Sequence, residues 1–137
     1  MIKLKYDADS MKLMSLFESM TGAKVKDCIL DERLIIIVEE NEMGKAIGRN
    51  GVNIKRLEHM MKKKVKLVEF SKDLAQFIKN LAHPIEISNI ENDDGKITLF
   101  GKDTSTRAML IGRERQNINH MKEIAQRYFD VKEIKVM

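Results

Sequence analysis

Ala46-Ile47-Gly48-Arg49-Asn50-Gly51-Val52-Asn53-Ile54 aligns without a gap with Leu110-Ile111-Gly112-Arg113-Glu114-Arg115-Gln116-Asn117-Ile118. Ile, Gly, Arg, Asn and Ile recur at matching places, 64 residues apart. A repeat of this kind defines the structural unit before any single element is read. In each copy the segment runs on into a helical pattern and then a β-rich run, so the 137 residues are read as one unit present twice.

Working outward in the first copy, Met11, Met14, Phe17 and Met20 recur at helical spacing, and Gly22 stops that helix. Residues 25–30 and 33–39 are rich in β-branched side chains, and the short Asp31-Glu32 link predicts an antiparallel hairpin although it lacks the favoured glycine. A short helix over 42–47 meets the Gly48-Arg49-Asn50-Gly51 loop, after which Ile54, Leu57 and Met61 mark the buried face of a longer helix. Residues 65–70 supply a third strand.

The second copy has the same order. Residues 73–81 predict a helix with Leu74, Phe77, Ile78 and Leu81 on one face, ended before Pro84. Strands over 85–90 and 96–100 flank Asn92-Asp93-Asp94-Gly95, a strong turn signal. A short helix over 103–110, the Gly112 loop, a long helix with Ile118, Met121, Ala125 and Tyr128 facing inward, and a strand over 131–136 complete it. The expected fold is α+β, each half running α-β-β-α-α-β with helices covering one face of a three-stranded sheet. With no linker rich in Gly, Ser or Pro, the halves 1–71 and 72–137 are expected to pack rigidly.

Composition narrows the function. Hydrophobic residues at 43% with 34% charged describe a folded chain. The longest apolar run, Leu34 to Val38, is far short of the roughly 20 residues of a membrane helix, and the N-terminus has no apolar signal core, so a cytoplasmic protein without membrane contact is expected. One cysteine, Cys28, and three scattered histidines, His59, His83 and His120, build no zinc spacing. Cys28 is read as packing, the histidines as solvated, and the methionines Met11, Met14, Met60, Met61 and Met121 as core filling. Asp93-Asp94 belongs to a turn rather than a catalytic pair, and Gly44-Lys45 lacks the rest of a phosphate-binding P-loop. No catalytic constellation, metal site or cofactor is expected. A monomer is expected, because no heptad pattern is sustained.

The net charge of +4 is unevenly placed. Residues 44–72 hold nine Lys/Arg against two Asp/Glu, a local +7, whereas 1–43 hold six against nine and 73–137 hold ten against ten. A concentrated positive field attracts polyanions, nucleic acid foremost. Within that stretch, Gly48-Arg49-Asn50-Gly51 lies between two helices, where the opening amides and the dipole of the second helix form an anion site. Two glycines remove the β-carbons that would hold a sugar-phosphate backbone away, while Lys45, Arg49, Lys55 and Arg56 can supply phosphate contacts. Ile47 and Ile54 offer apolar surface for exposed bases, so a short single strand suits the groove better than a duplex.

On these residues the chain resembles the KH family of RNA-binding domains, whose motif reads Ile-Gly, two variable residues, Gly, then Asn-Ile or similar, here Ile47 to Ile54. The element order is similar to the type II arrangement, and two such domains in tandem, 1–71 with an intact loop and 72–137 with a degenerate one, resemble the archaeal NusA-like family. That resemblance implies a transcription factor that binds nascent single-stranded RNA in elongation, pausing or termination. It implies RNA contacts from Lys45, Ile47, Gly48, Arg49, Asn50, Gly51, Asn53, Ile54, Lys55 and Arg56, and in the second copy from Gly112, Arg113, Arg115 and Asn117. Gly112-Arg113-Glu114-Arg115 departs from the motif, since it lacks the closing glycine and adds a carboxylate. The first loop is therefore expected to dominate. Two other readings stay open: an RNA-binding module for rRNA processing, ribosome assembly or translation, and a scaffold contacting a protein such as RNA polymerase.

Overall fold

The computed structural model describes residues 8–30 and 33–137. The first element, α1 (Ala8–Thr21), closes where the Gly22 amide, at φ 75°, donates to the Glu18 carbonyl, the left-handed ending that glycine permits. β1 (Val25–Leu30) then pairs antiparallel with β2 (Leu34–Val38), from Val25 opposite Val38 to Leu30 opposite Leu34, with a bulge between Val25 and Asp27. The Asp31-Glu32 link lies outside the described residues, as do residues 1–7.

All five residues of β2 are buried, which explains a run of β-branched residues without polar alternation. β2 next pairs in parallel with β3 (Val65–Glu69), in register from Leu34 with Val65 to Val38 with Glu69. Parallel neighbours cannot be joined by a hairpin and need a crossover. Here the crossover holds α2 (Met43–Ile47) and α3 (Val52–Met61), so the glycine loop is the corner of the connection that closes the sheet. Leu34, Ile36 and Val38 turn the same face to Phe17 of α1, Ala46 of α2 and Leu57 of α3, with the buried Cys28, which forms no disulfide, among them. Helices thus cover that face, as expected.

The chain divides into two compact units between Ser71 and Lys72. The second repeats the order as α4 (Leu74–Ala82), β4 (Asn89–Asp93), β5 (Lys96–Phe100), α5 (Thr104–Ile111), α6 (Gln116–Ala125) and β6 (Glu133–Val136). β5 is central, antiparallel to β4 and parallel to β6. α6 lies against α4, α5 and β6, and Phe77 of α4 meets Tyr128 edge-on with ring centroids 5.7 Å apart.

Three local expectations are corrected. The strand expected over 85–90 begins only at Asn89, because the Ile85 amide is held by the Ala82 carbonyl in a turn that follows α4. The Asn92 to Gly95 turn is tighter than expected: Asp93 still pairs with Lys96, leaving Asp94 and Gly95 at φ 51° and 90° as a two-residue hairpin turn, with the Asn92 side chain accepting the Gly95 amide. Tyr128 packs inward but lies beyond the end of α6. Side-chain placement also differs in part. Met11 and Met60 are exposed rather than core, and His120 is half-buried whereas His59 and His83 are solvated. Among the described residues no helix is long and apolar enough to cross a membrane, and no group of three or more His, Cys, Asp or Glu could hold a metal ion.

Candidate functional site

The loop begins where α2 ends. Gly48 stands at φ 72°, ψ 178°, a region essentially closed to side-chain-bearing residues, and its amide still donates to the Gly44 carbonyl. A tight turn over Arg49–Gly51 follows, with Asn50 at φ 57°, ψ 27° and Gly51 at φ 70°, ψ 21°, both left-handed. Asparagine is among the few residues that visit this region readily.

Gly51 enters α3 from that left-handed conformation, and no side chain caps the helix. Contrast α4 and α5: Asp73 and Asp103 stand in extended backbone, and their carboxylates accept the amides of Gln76 and Thr106. The hydrogen bonds from Thr106 are the first cause holding the Asp103 carboxyl below its ordinary range. Gly51 has no side chain to reach over the first turn in this way. The Val52 amide is taken by the Arg49 carbonyl, but no side chain caps the amides that follow it, and the positive end of the helix dipole has no acidic side chain in its first turn.

The two glycines do different work. A Cβ on Gly48 would lie 2.6 Å from Asn53 Nδ2, so packing demands glycine there. At Gly51 nothing lies within 4 Å of the position a Cβ would take, so the fold leaves that side of the loop open. Glycine at 51 keeps clear a space that no protein atom fills.

Arg49, Asn50, Lys45, Lys55 and Arg56 are all exposed around or just beyond this corner. Lys45 lies 3.6 Å from Glu42, whose carboxylate also accepts the Lys24 amide at 2.7 Å. That amide, and after it the Lys45 ammonium, hold the Glu42 carboxyl below its ordinary range. Ile47 is 37% exposed and Ile54 half-buried, as an apolar floor requires. Val52, 44% exposed directly after Gly51, joins them and was not read from the sequence; its signal was an aliphatic residue falling off the Leu57 stripe. Asn53, expected among the RNA contacts, is buried, and its Nδ2 donates to the Lys45 carbonyl at 3.1 Å. The basic stretch is also less concentrated in space than in sequence. Lys62 and Lys64 are exposed at the far end of α3, about 15 Å from the loop at 1.5 Å per residue. Lys66 is half-buried on β3, where burial, with Arg33 nearby, pushes its pKa down to about 8.

In the second unit Gly112 stands at φ 77°, ψ 169°, Glu114 at φ 54°, ψ 33° and Arg115 at φ 63°, ψ 21°. The backbone thus follows the path of the first loop although its closing residue is arginine. Both Glu114 and Arg115 sit in the left-handed region at a cost of about 1 kcal/mol each. A Cβ on Gly112 would lie 2.8 Å from the Asn117 backbone nitrogen, and the Asn117 side chain donates to the Met109 carbonyl at 2.7 Å. α6, like α3, has no side-chain cap and no acidic residue in its first turn. Arg113, Glu114 and Arg115 are all exposed, whereas Asn117 is half-buried.

Residues 13–91 match the family model described as the KH domain. The chain is 37% identical to the probable transcription termination protein NusA of Methanococcus vannielii, over 99% of this chain and 81% of that protein. It is 31% identical to the protein of the same description from Methanocaldococcus jannaschii, over 100% of this chain and 77% of that one. The solved structure described as the crystal structure of APE1850 superposes with a TM-score of 0.77 at 29% identity, covering 96% of this chain and all of that one.

Proposed function

Because the chain belongs to the KH domain family, and within it to the archaeal NusA proteins, we propose that it is a transcription factor that binds single-stranded RNA and acts on nascent transcripts during elongation, pausing or termination. RNA binding is the property that KH membership supports; the strand preference and the stage of transcription are the finer reading. The observation that carries it is the open side of Gly51: the corner holds uncapped helix amides, exposed Arg49, Lys45, Lys55 and Arg56, and a space kept clear of protein atoms. Backbone phosphates would take the amides and cations, and splayed bases would rest on Ile47, Val52 and Ile54.

The proposal includes two KH domains, residues 1–71 and 72–137. Gly112, Arg113 and Arg115 form a second, altered contact in which guanidinium groups reach phosphate where the first loop offers a bare backbone. Glu114 weakens it.

The test is fluorescence anisotropy of a random-pool single-stranded RNA with the wild type and with Arg49→Asp/Asn50→Asp, circular dichroism confirming that both are folded. Binding by the wild type and loss in the variant is expected. A folded wild type that binds no RNA but is retained by RNA polymerase would favour the scaffold reading instead.

A further inference from the structure

We infer that Asn53 is a positioning residue: its side chain does not meet RNA but ties the end of α2 to the start of α3 and so sets the curve of residues 48–51. The inference deepens, and rests on, the reading of this loop as an RNA site.

α2 spans only five residues, too short to hold its shape by its own hydrogen bonds. Its last carbonyls have no partner within the helix. Asn53, at 8% exposure, donates Nδ2 to one of them, that of Lys45, at 3.1 Å. The same Nδ2 stands 2.6 Å from where a β-carbon on Gly48 would lie. One side chain therefore fixes the helix end, the opening glycine and the first turn of α3 together.

An independent copy of the device stands in the second unit. Asn117 donates to the Met109 carbonyl at 2.7 Å, and a Cβ on Gly112 would lie 2.9 Å from its Nδ2. There the two central loop residues and the closing residue differ in part from the first copy, yet the bond and the backbone angles persist. The brace answers to the path of the chain, not to the residues that line it. Without it the corner loses the fixed donor geometry on which anion recognition depends.

The experiment uses the full chain with Asn53→Leu, which fills the same space without a donor, and Asn53→Ala. Amide hydrogen exchange of residues 48–52 is followed by NMR without RNA, and anisotropy with random-pool single-stranded RNA is measured across a salt series. Exchange at 48–52 should quicken while the strands keep their protection. Affinity should fall roughly tenfold at every salt concentration with an unchanged slope, because every phosphate-binding side chain is still in place. Asn117→Leu should quicken exchange around Gly112 and leave most of the affinity in place. Unchanged exchange would overturn the brace. Quickened exchange with unchanged affinity would reduce it to a structural bond, and weakened affinity with unchanged exchange would make Asn53 a direct RNA ligand, since the loss of a neutral side chain leaves the salt slope alone. A wild type that binds no RNA would sink the RNA reading itself, and the exchange arm, which needs no RNA, tells that failure apart.

Discussion

Alanine at Gly48 and alanine at Gly51 should separate fold from function within four residues. At Gly48 the backbone lies at φ 72°, ψ 178°, where a side chain costs about 1–3 kcal/mol. The new Cβ would also meet Asn53 Nδ2 at 2.6 Å and Cγ at 3.0 Å, so Asn53 must move off the Lys45 carbonyl. Losing that bond adds about 1 kcal/mol, and the stiffer unfolded chain returns about 0.4–1 kcal/mol. The net destabilisation of Gly48→Ala is then about 1–3.6 kcal/mol, with a fall of about 4–8 °C in melting temperature for each kcal/mol in a unit of this size. At Gly51 the left-handed backbone costs about 1 kcal/mol, the unfolded chain returns nearly as much, and no atom lies within 4 Å. Gly51→Ala should therefore melt close to the wild type, as the arginine at the same backbone position in the second unit already implies. Binding should follow the other axis: Gly51→Asp, folded, should lose most RNA affinity because a carboxylate enters the open space. Urea titration and RNA anisotropy on the three variants check both axes. Equal destabilisation by the two alanines would refute the packing argument, and unchanged RNA affinity in folded Gly51→Asp would remove the loop from the mechanism.

Charge reversal at Lys55 and Arg56 should weaken all RNA sequences alike and flatten the plot of log affinity against log salt by about one unit for each phosphate no longer neutralised; an unaltered slope would mean that those side chains face elsewhere. Arg115→Gly should change stability by no more than about 0.5 kcal/mol, because relief of the left-handed strain offsets the freer unfolded chain, and denaturant midpoints would expose a larger loss. Lys66 has a folded pKa near 8 against 10.5 unperturbed, so between those values the unfolded state binds more protons and stability rises with pH. Lys66→Met should be more stable than the wild type at pH 7 and should lack that rise between pH 8 and 10.5, as paired melting curves would show.

Element order was readable from the sequence because each unit agrees with itself at every level. The run Leu34 to Val38 is β-branched and fully buried, Leu57 marks the inner face of its helix, and Asp-Gly makes its hairpin turn. What escaped the sequence depends on where the chain carries a residue after the periodicity is known. Asn53 and Lys55 are two positions apart in the same basic, polar run, yet one is buried as a strut and the other faces solvent. Their difference lies in the roughly 100° step of a helix whose start is set by the loop. Ile85 and Ile87 carry strand propensity, but the Ala82 carbonyl holds the Ile85 amide in a turn, and bonding to the neighbouring strand begins only where the Ser88 amide donates to the Phe100 carbonyl. Lys62, Lys64 and Arg49 count equally toward a local charge, whereas a helix of ten residues keeps them at opposite ends.

The left-handed entry into α3 and α6 carries a consequence for how such sites are found. Glycine has no side chain and arginine no acceptor, so neither closing residue caps its helix, and the corner keeps the same backbone path and the same lack of a side-chain cap with either. A search keyed to two glycines three residues apart passes over residues 112–115, while a search keyed to the backbone path recognises both loops. Divergence at the closing position can retune what the corner accepts without rebuilding the corner, so motif loss in a duplicated unit is a poor measure of lost capacity.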